Sequence, residues 1–179
     1  YKRQIMNMVN KDFGNVFYTQ YRIGKNGKKF KMVKFRSMQK DADQILEKYL
    51  KENPKEAKEY KINKKLKNDP RVTKTGKFLR KTSLDEWPQF LSILTGKMSL
   101  VGPRPYLLSE KEEMGEYYKY IIKSKPGLTG LWQVSGRSNL TFEDRLKLDE
   151  EYSNRQGNIR DFKILIKTFH KVFGEEGAI

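Results

Sequence analysis

Two runs rich in β-branched and aromatic residues, 16–23 and 30–36, are separated only by Gly24-Lys25-Asn26-Gly27 and two lysines. A connection this short cannot carry the crossover that parallel strands require, so the runs pair antiparallel with Asn26-Gly27 at the bend. Further along, helical patterns follow one another with only short extended pieces between them, and no βαβ alternation develops. The expected fold is therefore α+β: a small antiparallel β-hairpin packed with several helices, some of them amphipathic. At 179 residues the chain has the length of one domain, spanning 1–179, with enough material for a core.

Charge narrows the function classes. The formal net charge is +16, and all of the excess lies early: residues 1–81 hold 24 Lys/Arg against 8 Asp/Glu, whereas 82–179 hold 14 of each. A field of that kind attracts polyanions, whether nucleic acid, anionic lipid headgroups or a diphosphate-bearing substrate. Cysteine is absent and His170 is the single histidine, which removes thiol chemistry, disulfides and His/Cys metal centres. Acid–base or nucleophilic work falls to carboxylates, Lys, Tyr or Ser. No apolar run approaches the roughly 18 residues of a membrane-spanning helix.

The spacing predicts a charged helix over 40–66, broken near Pro54, and a capping box at Ser83 and Glu86. Trp87, Phe90, Leu91 and Leu94 then form one apolar face of a short helix ending at Gly96. Gly102-Pro103-Arg104-Pro105 is a rigid turn around one guanidinium. Residues 106–123 read as a helix with an aromatic side, Lys125 to Gly130 as a loop, and Thr141 to about Tyr152 as a capped helix. In the last helix, 161–173, Lys163, Lys167 and Lys171 share a face, while apolar residues cover most of the remainder. That pattern fits a helix at a membrane interface and equally a packed helix with one wet edge.

Asp85 and Glu86 are adjacent acids in a predicted first turn, where they would complement the helix dipole. Their surroundings suggest more. Arg80 precedes them, Arg104 lies between two prolines, Lys34 and Arg36 end the hairpin, and Arg137 follows a glycine. Two acids among individually placed cations suit a phosphate ester with a divalent metal: carboxylate oxygens hold a hard cation, and guanidiniums grip phosphate oxygens bidentately. Neither GxxxxGK[ST] nor GxGxxG occurs, so side chains and other backbone turns would have to do the binding.

Lys34-Phe35-Arg36-Ser37-Met38, Asp69-Pro70-Arg71-Val72-Thr73, Gly76 to Arg80, Ser83-Leu84-Asp85-Glu86-Trp87-Pro88-Gln89, Met98 to Pro105, Lys125 to Gly130 and Gln133-Val134-Ser135-Gly136-Arg137 occur in this order. Over roughly 14–173 the chain resembles the bacterial sugar transferases, the monotopic polyprenyl-phosphate sugar-1-phosphate transferases of the galactose or glucose type. The resemblance implies a phosphoglycosyl transferase that moves a sugar-1-phosphate from a UDP-sugar to undecaprenyl phosphate and releases UMP. That reaction begins capsule, exopolysaccharide or O-antigen synthesis. It places the nucleophile on Asp85, magnesium on Glu86 with Asp85, and substrate phosphate binding on Lys34, Arg80, Arg104 and, by motif position, Arg137.

It further implies a cytosolic catalytic domain on the anionic cytoplasmic face of the inner membrane, with a re-entrant membrane hairpin expected upstream of this chain. Oligomeric state and the sugar itself stay open. The rival reading is a basic nucleic-acid-binding module without catalysis, which has the charge and the hairpin aromatics but leaves Asp85 and Glu86 unexplained.

Overall fold

The computed structural model describes residues 15–66, 68–136 and 140–173. β1 (Phe17–Ile23) pairs antiparallel with β2 (Lys29–Phe35), Tyr18 opposite Lys34 and Arg22 opposite Phe30. Asn26 and Gly27 both take left-handed backbone, at φ 57° and 73°, which is why Asn-Gly suits this bend. Alternation sends Tyr18, Gln20, Arg22, Phe30, Met32 and Lys34 to one face. Phe30 and Met32 are buried, so the face that also carries Arg22 and Lys34 is the inner one.

α1 (Ala42–Glu52) and α2 (Pro54–Asn63) form the charged excursion. They divide at Asn53-Pro54, because a proline is well placed at a helix start where its missing N–H has no partner to lose. Neither helix buries a residue. α3 (Lys74–Lys81) is capped by Thr73, whose Oγ1 accepts the Gly76 N–H at 2.9 Å. The chain then passes through a 3-10 turn, Leu84–Gln89, into α4 (Phe90–Leu94).

Two expectations are corrected beyond this point. Residues 106–123 are not one helix but two 3-10 turns, Leu108–Glu110 and Gly115–Tyr117, followed by the short α5 (Tyr118–Ile121). Gly115 at φ 52° leaves the helical path, and the Glu110 carboxylate turns back to accept the Leu107 N–H at 2.6 Å. The segment from Lys125 to Gly130 is more than a loop. It contains β4 (Gly127–Thr129), which pairs parallel with β3 (Ser99–Val101). A Cβ on Gly102 or Gly127 would overlap the other's backbone, so glycine is what lets the two motifs lie side by side. Gly102 N–H donates to the Thr129 carbonyl and Gly127 N–H to the Pro103 carbonyl, each at 2.9 Å.

α6 (Leu131–Ser135), α7 (Phe142–Asn154) and α8 (Asn158–Phe173) complete a mixed α+β architecture. The expected cap of α7 is formed: Thr141 Oγ1 accepts the Asp144 N–H, and the Asp144 carboxylate accepts the Thr141 N–H. Among the described residues, apolar burial is divided among three clusters. Phe30, Met32 and Met98 lie under the hairpin; Ile23, Tyr106, Met114, Ile121, Phe142 and Leu146 form a second; Val101, Val134, Tyr152 and Ile164 form a third. α7 contributes to two of them. Buried alongside are Asp85, Gln89, Glu110, Arg145 and Asp149, residue types that seldom lose water without a partner.

Candidate active site

The 3-10 turn that carries Asp85 and Glu86 packs against β2 and α3. Its entry differs from the expected capping box. Ser83 adopts left-handed backbone at φ 56° and its side chain makes no capping bond, so the Glu86 N–H reaches only the Ser83 carbonyl, at 3.3 Å. The Glu86 carboxylate turns instead to the hairpin, where Lys34 Nζ donates to Oε1 at 2.7 Å. The expected capping box does not form; Glu86 pairs across the fold with Lys34 instead.

Asp85 is almost fully buried, with 9% of its surface exposed. Burial pushes its carboxyl above the usual carboxylate range, the Lys34 ammonium opposes the rise, the Glu86 charge adds to it, and the Arg80 guanidinium opposes it again. Arg80 comes from the last turn of α3. Its Nε donates to Ser37 Oγ at 2.9 Å, which fixes the plane of the guanidinium. Ser37 is held in turn by the Thr73 N–H on its carbonyl at 3.1 Å, and a side chain at position 76 would overlap its backbone. Lys34, Arg80, Asp85 and Glu86 thus form one electrostatic group, each in reach of another's charge.

Arg104 stands in a neighbouring group. Its N–H donates to Asp149 Oδ2 at 2.9 Å, its guanidinium lies 3.4 Å from the Glu110 carboxylate, and it sits over the Tyr106 ring at 5.5 Å. Arg22, which the sequence reading passed over, links the two groups. It donates from Nη1 to the Pro105 carbonyl at 3.1 Å and from Nη2 to Gln20 Oε1 at 2.7 Å. Burial and the neighbouring Arg104 charge lower its pKa to about 10, while the charges of Glu110, Tyr18 and Glu86 act to raise it. The signal was available: Arg22 shares a strand face with Lys34 once the hairpin register is written out. Arg137 lies outside the described residues.

The exterior next to this group is apolar. Trp87, Phe90, Leu91 and Leu94 do share a face, but that face is open to solvent, with Leu94 83% and Trp87 62% exposed. Ile159, Phe162 and Phe169 of α8 are exposed as well. Among the described residues, no helix is long and apolar enough to cross a membrane.

The chain belongs to the bacterial sugar transferase family, whose pattern it matches over residues 4–175. It is 44% identical to the UDP-galactose-lipid carrier transferase of Erwinia amylovora, covering 96% of this chain and 36% of that protein. It is 42% identical to the exopolysaccharide production protein ExoY of Sinorhizobium fredii, covering 93% and 74% respectively. It is 40% identical to the UDP-glucose:undecaprenyl-phosphate glucose-1-phosphate transferase of Escherichia coli, covering 92% and 34%. The chain therefore spans about a third of the length of two of these curated relatives and about three quarters of the third.

Proposed function

We propose that this chain transfers a sugar-1-phosphate, galactose or glucose being the sugars named in its relatives, from a UDP-sugar to undecaprenyl phosphate. The observation that carries the reading is the group Asp85–Glu86–Lys34–Arg80, a nearly buried carboxylate with two cations acting on it. Asp85 attacks the phosphorus that bears the sugar. The bond between that phosphorus and the oxygen bridging to UMP breaks, and UMP leaves with the electron pair. An oxygen of undecaprenyl phosphate then attacks the same phosphorus and returns the Asp85 carboxylate. Because both reactants are anionic, Arg80 and Lys34 reduce their repulsion, and Arg80 with Arg104 offers donors to the phosphoryl oxygens.

Magnesium is part of the proposal. Among the described residues no group of three Asp, Glu, His or Cys side chains could enclose a metal. Glu86 with Asp85 supplies two carboxylates, which suits a cation that keeps water and substrate phosphate oxygens as its other ligands. Bound there, it would neutralise the diphosphate.

The apolar faces of α4 and α8, with Lys163, Lys167 and Lys171 on the latter, support docking on an anionic leaflet, each cation near the surface adding about 1 kcal/mol. Family membership favours this reading over nucleic-acid binding, which gives Asp85 no role. The test is UMP release from a panel of UDP-sugars with a short prenyl phosphate, with magnesium and with EDTA. Metal-dependent release that requires the prenyl phosphate is expected. Exchange of labelled UMP into donor that persists in D85N would remove Asp85 as nucleophile.

A further inference from the structure

We infer that Asp149 is a positioning residue for Arg104, holding from α7 both the backbone of the Pro103-Arg104-Pro105 turn and the ring beneath its guanidinium. The inference rests on the transferase reading, in which Arg104 meets substrate phosphate.

Asp149 is completely buried, and Oδ2 accepts two hydrogen bonds, from the Arg104 N–H at 2.9 Å and from the Tyr106 hydroxyl at 2.8 Å. Proline has no N–H, so in Pro103-Arg104-Pro105 the Arg104 N–H is the only backbone donor by which the turn can be held. Asp149 occupies it. The Tyr106 ring, itself buried, underlies the Arg104 guanidinium at 5.5 Å, so one carboxylate oxygen fixes the main chain and the aromatic support together. Arg22 donates to the Pro105 carbonyl at 3.1 Å. The turn is thus held at the Arg104 N–H and the Pro105 carbonyl, and the Pro103 carbonyl accepts the Gly127 N–H at 2.9 Å.

Packing alone does not account for a carboxyl group here. Among the described residues, Asp149 Oδ1 has no hydrogen-bond partner, and neither does Nη1 of Arg145, a fully buried cation one helical turn earlier on α7. Arg145 places its other amino group on the Asn63 and Leu140 carbonyls, at 2.7 and 3.0 Å. An apolar side chain would fill the same space without leaving a buried oxygen unpartnered. What the carboxyl adds is a countercharge for Arg145 and two acceptor bonds, one to the turn at the Arg104 N–H and one to the Tyr106 hydroxyl.

The experiment measures UMP affinity by calorimetry, and KM and kcat for the preferred UDP-sugar, on the full-length protein in detergent. D149A is expected to weaken UMP binding roughly tenfold and to raise KM more than it lowers kcat. D149N, whose side-chain oxygen can accept the same two bonds, restores affinity to within about threefold of wild type, the cost expected of an imperfect hydrogen bond. In an R104K background D149A costs little more, because the group it positions is already altered.

D149A indistinguishable from wild type, D149N as impaired as D149A, or losses that add in the R104K background would each overturn the inference. Should D149A not fold, Y106F decides: removal of one donor lowers UMP affinity about threefold in the folded protein, and no change overturns the role. Equal UMP binding by wild type and D149A removes only the role of Asp149 and leaves the transferase reading standing. A wild-type protein that neither binds nor releases UMP ends both.

Discussion

The molecule holds its charges in two ways. Beside the nearly buried Asp85, its partners are only partly withdrawn from water: the side chains of Lys34 and Glu86 are 27% and 30% exposed, and their ion pair joins a strand to a 3-10 turn. Around Asp149 the carboxyl, Arg145 and Tyr106 are buried to the last few per cent. A pair as exposed as the first contributes no more than about 1 kcal/mol, so an incoming diphosphate or a cation can displace it at little cost. Removing one partner of a buried hydrogen bond of the second kind costs roughly 1–3 kcal/mol, which keeps the group in one geometry. Exchangeable charge sits where chemistry is proposed, and immobile charge lies under the turn that must stay in place.

Substitutions test that division, and the largest effect belongs to the exchangeable side. D85N is expected to reduce turnover and UMP exchange to background while leaving Tm near wild type. Measurable exchange would show that Asp85 is not the attacking group. R80Q comes next, with kcat lower by about 10²–10³ from loss of a preorganised donor. A smaller loss in S37A, which removes only the acceptor for Arg80 Nε, would confirm that the orientation of that guanidinium matters.

The immobile side shows itself in stability. Burial pushes the Asp149 carboxyl up to about 7, against backbone and tyrosine hydrogen bonds that favour the charged form. A carboxyl raised in the folded state binds its proton more tightly there than in the unfolded chain. Its contribution to stability is therefore complete below the unfolded value near 4 and is lost as pH rises through about 7. Wild type should lose up to a few kcal/mol relative to D149N between these limits, read by urea denaturation across pH. Parallel curves would contradict the assignment.

K34M probes the exchangeable pair again, and more gently. Lys34 is the strongest influence lowering the Asp85 carboxyl, so its loss should move the acid limb of the pH–rate profile upward, with a stability change below about 1 kcal/mol. The smallest effect on the isolated protein is expected for F162E. It should leave Tm unchanged and weaken binding to anionic vesicles, and vesicle binding indifferent to both the substitution and salt would count against α8 as a membrane surface.

Much of the candidate site was legible in the sequence, because its residues stand in local motifs with their own backbone chemistry. Asn26-Gly27 demanded a bend, Thr141 with Asp144 a helix start, and the prolines about Arg104 a rigid turn. Ser83 with Glu86 shows where local reading stops. The spacing was right for a capping box, but the Lys34 ammonium, 52 residues away, offers Glu86 a stronger partner than a backbone N–H. The long helix expected over 106–123 failed for a related reason, since Glu110 and Gly115 serve contacts and angles that helical periodicity does not record.

Taken alone, the chain's order of residues determined the antiparallel hairpin, the break at Pro54 and the cap of α7, and it singled out the candidate acids and the cations proposed to act with them. These depend on neighbours in sequence, whose preferences act over a few bonds. Only the tertiary structure decided that β3 and β4 run parallel, that Arg22 bridges the hairpin to the Pro-Arg-Pro turn, that Asp149 lies beneath Arg104, and that the Trp87–Leu94 face stays open to solvent. Each depends on which distant surfaces are brought together and which are left uncovered, and burial and charge pairing across such distances leave no periodic trace in the residues themselves.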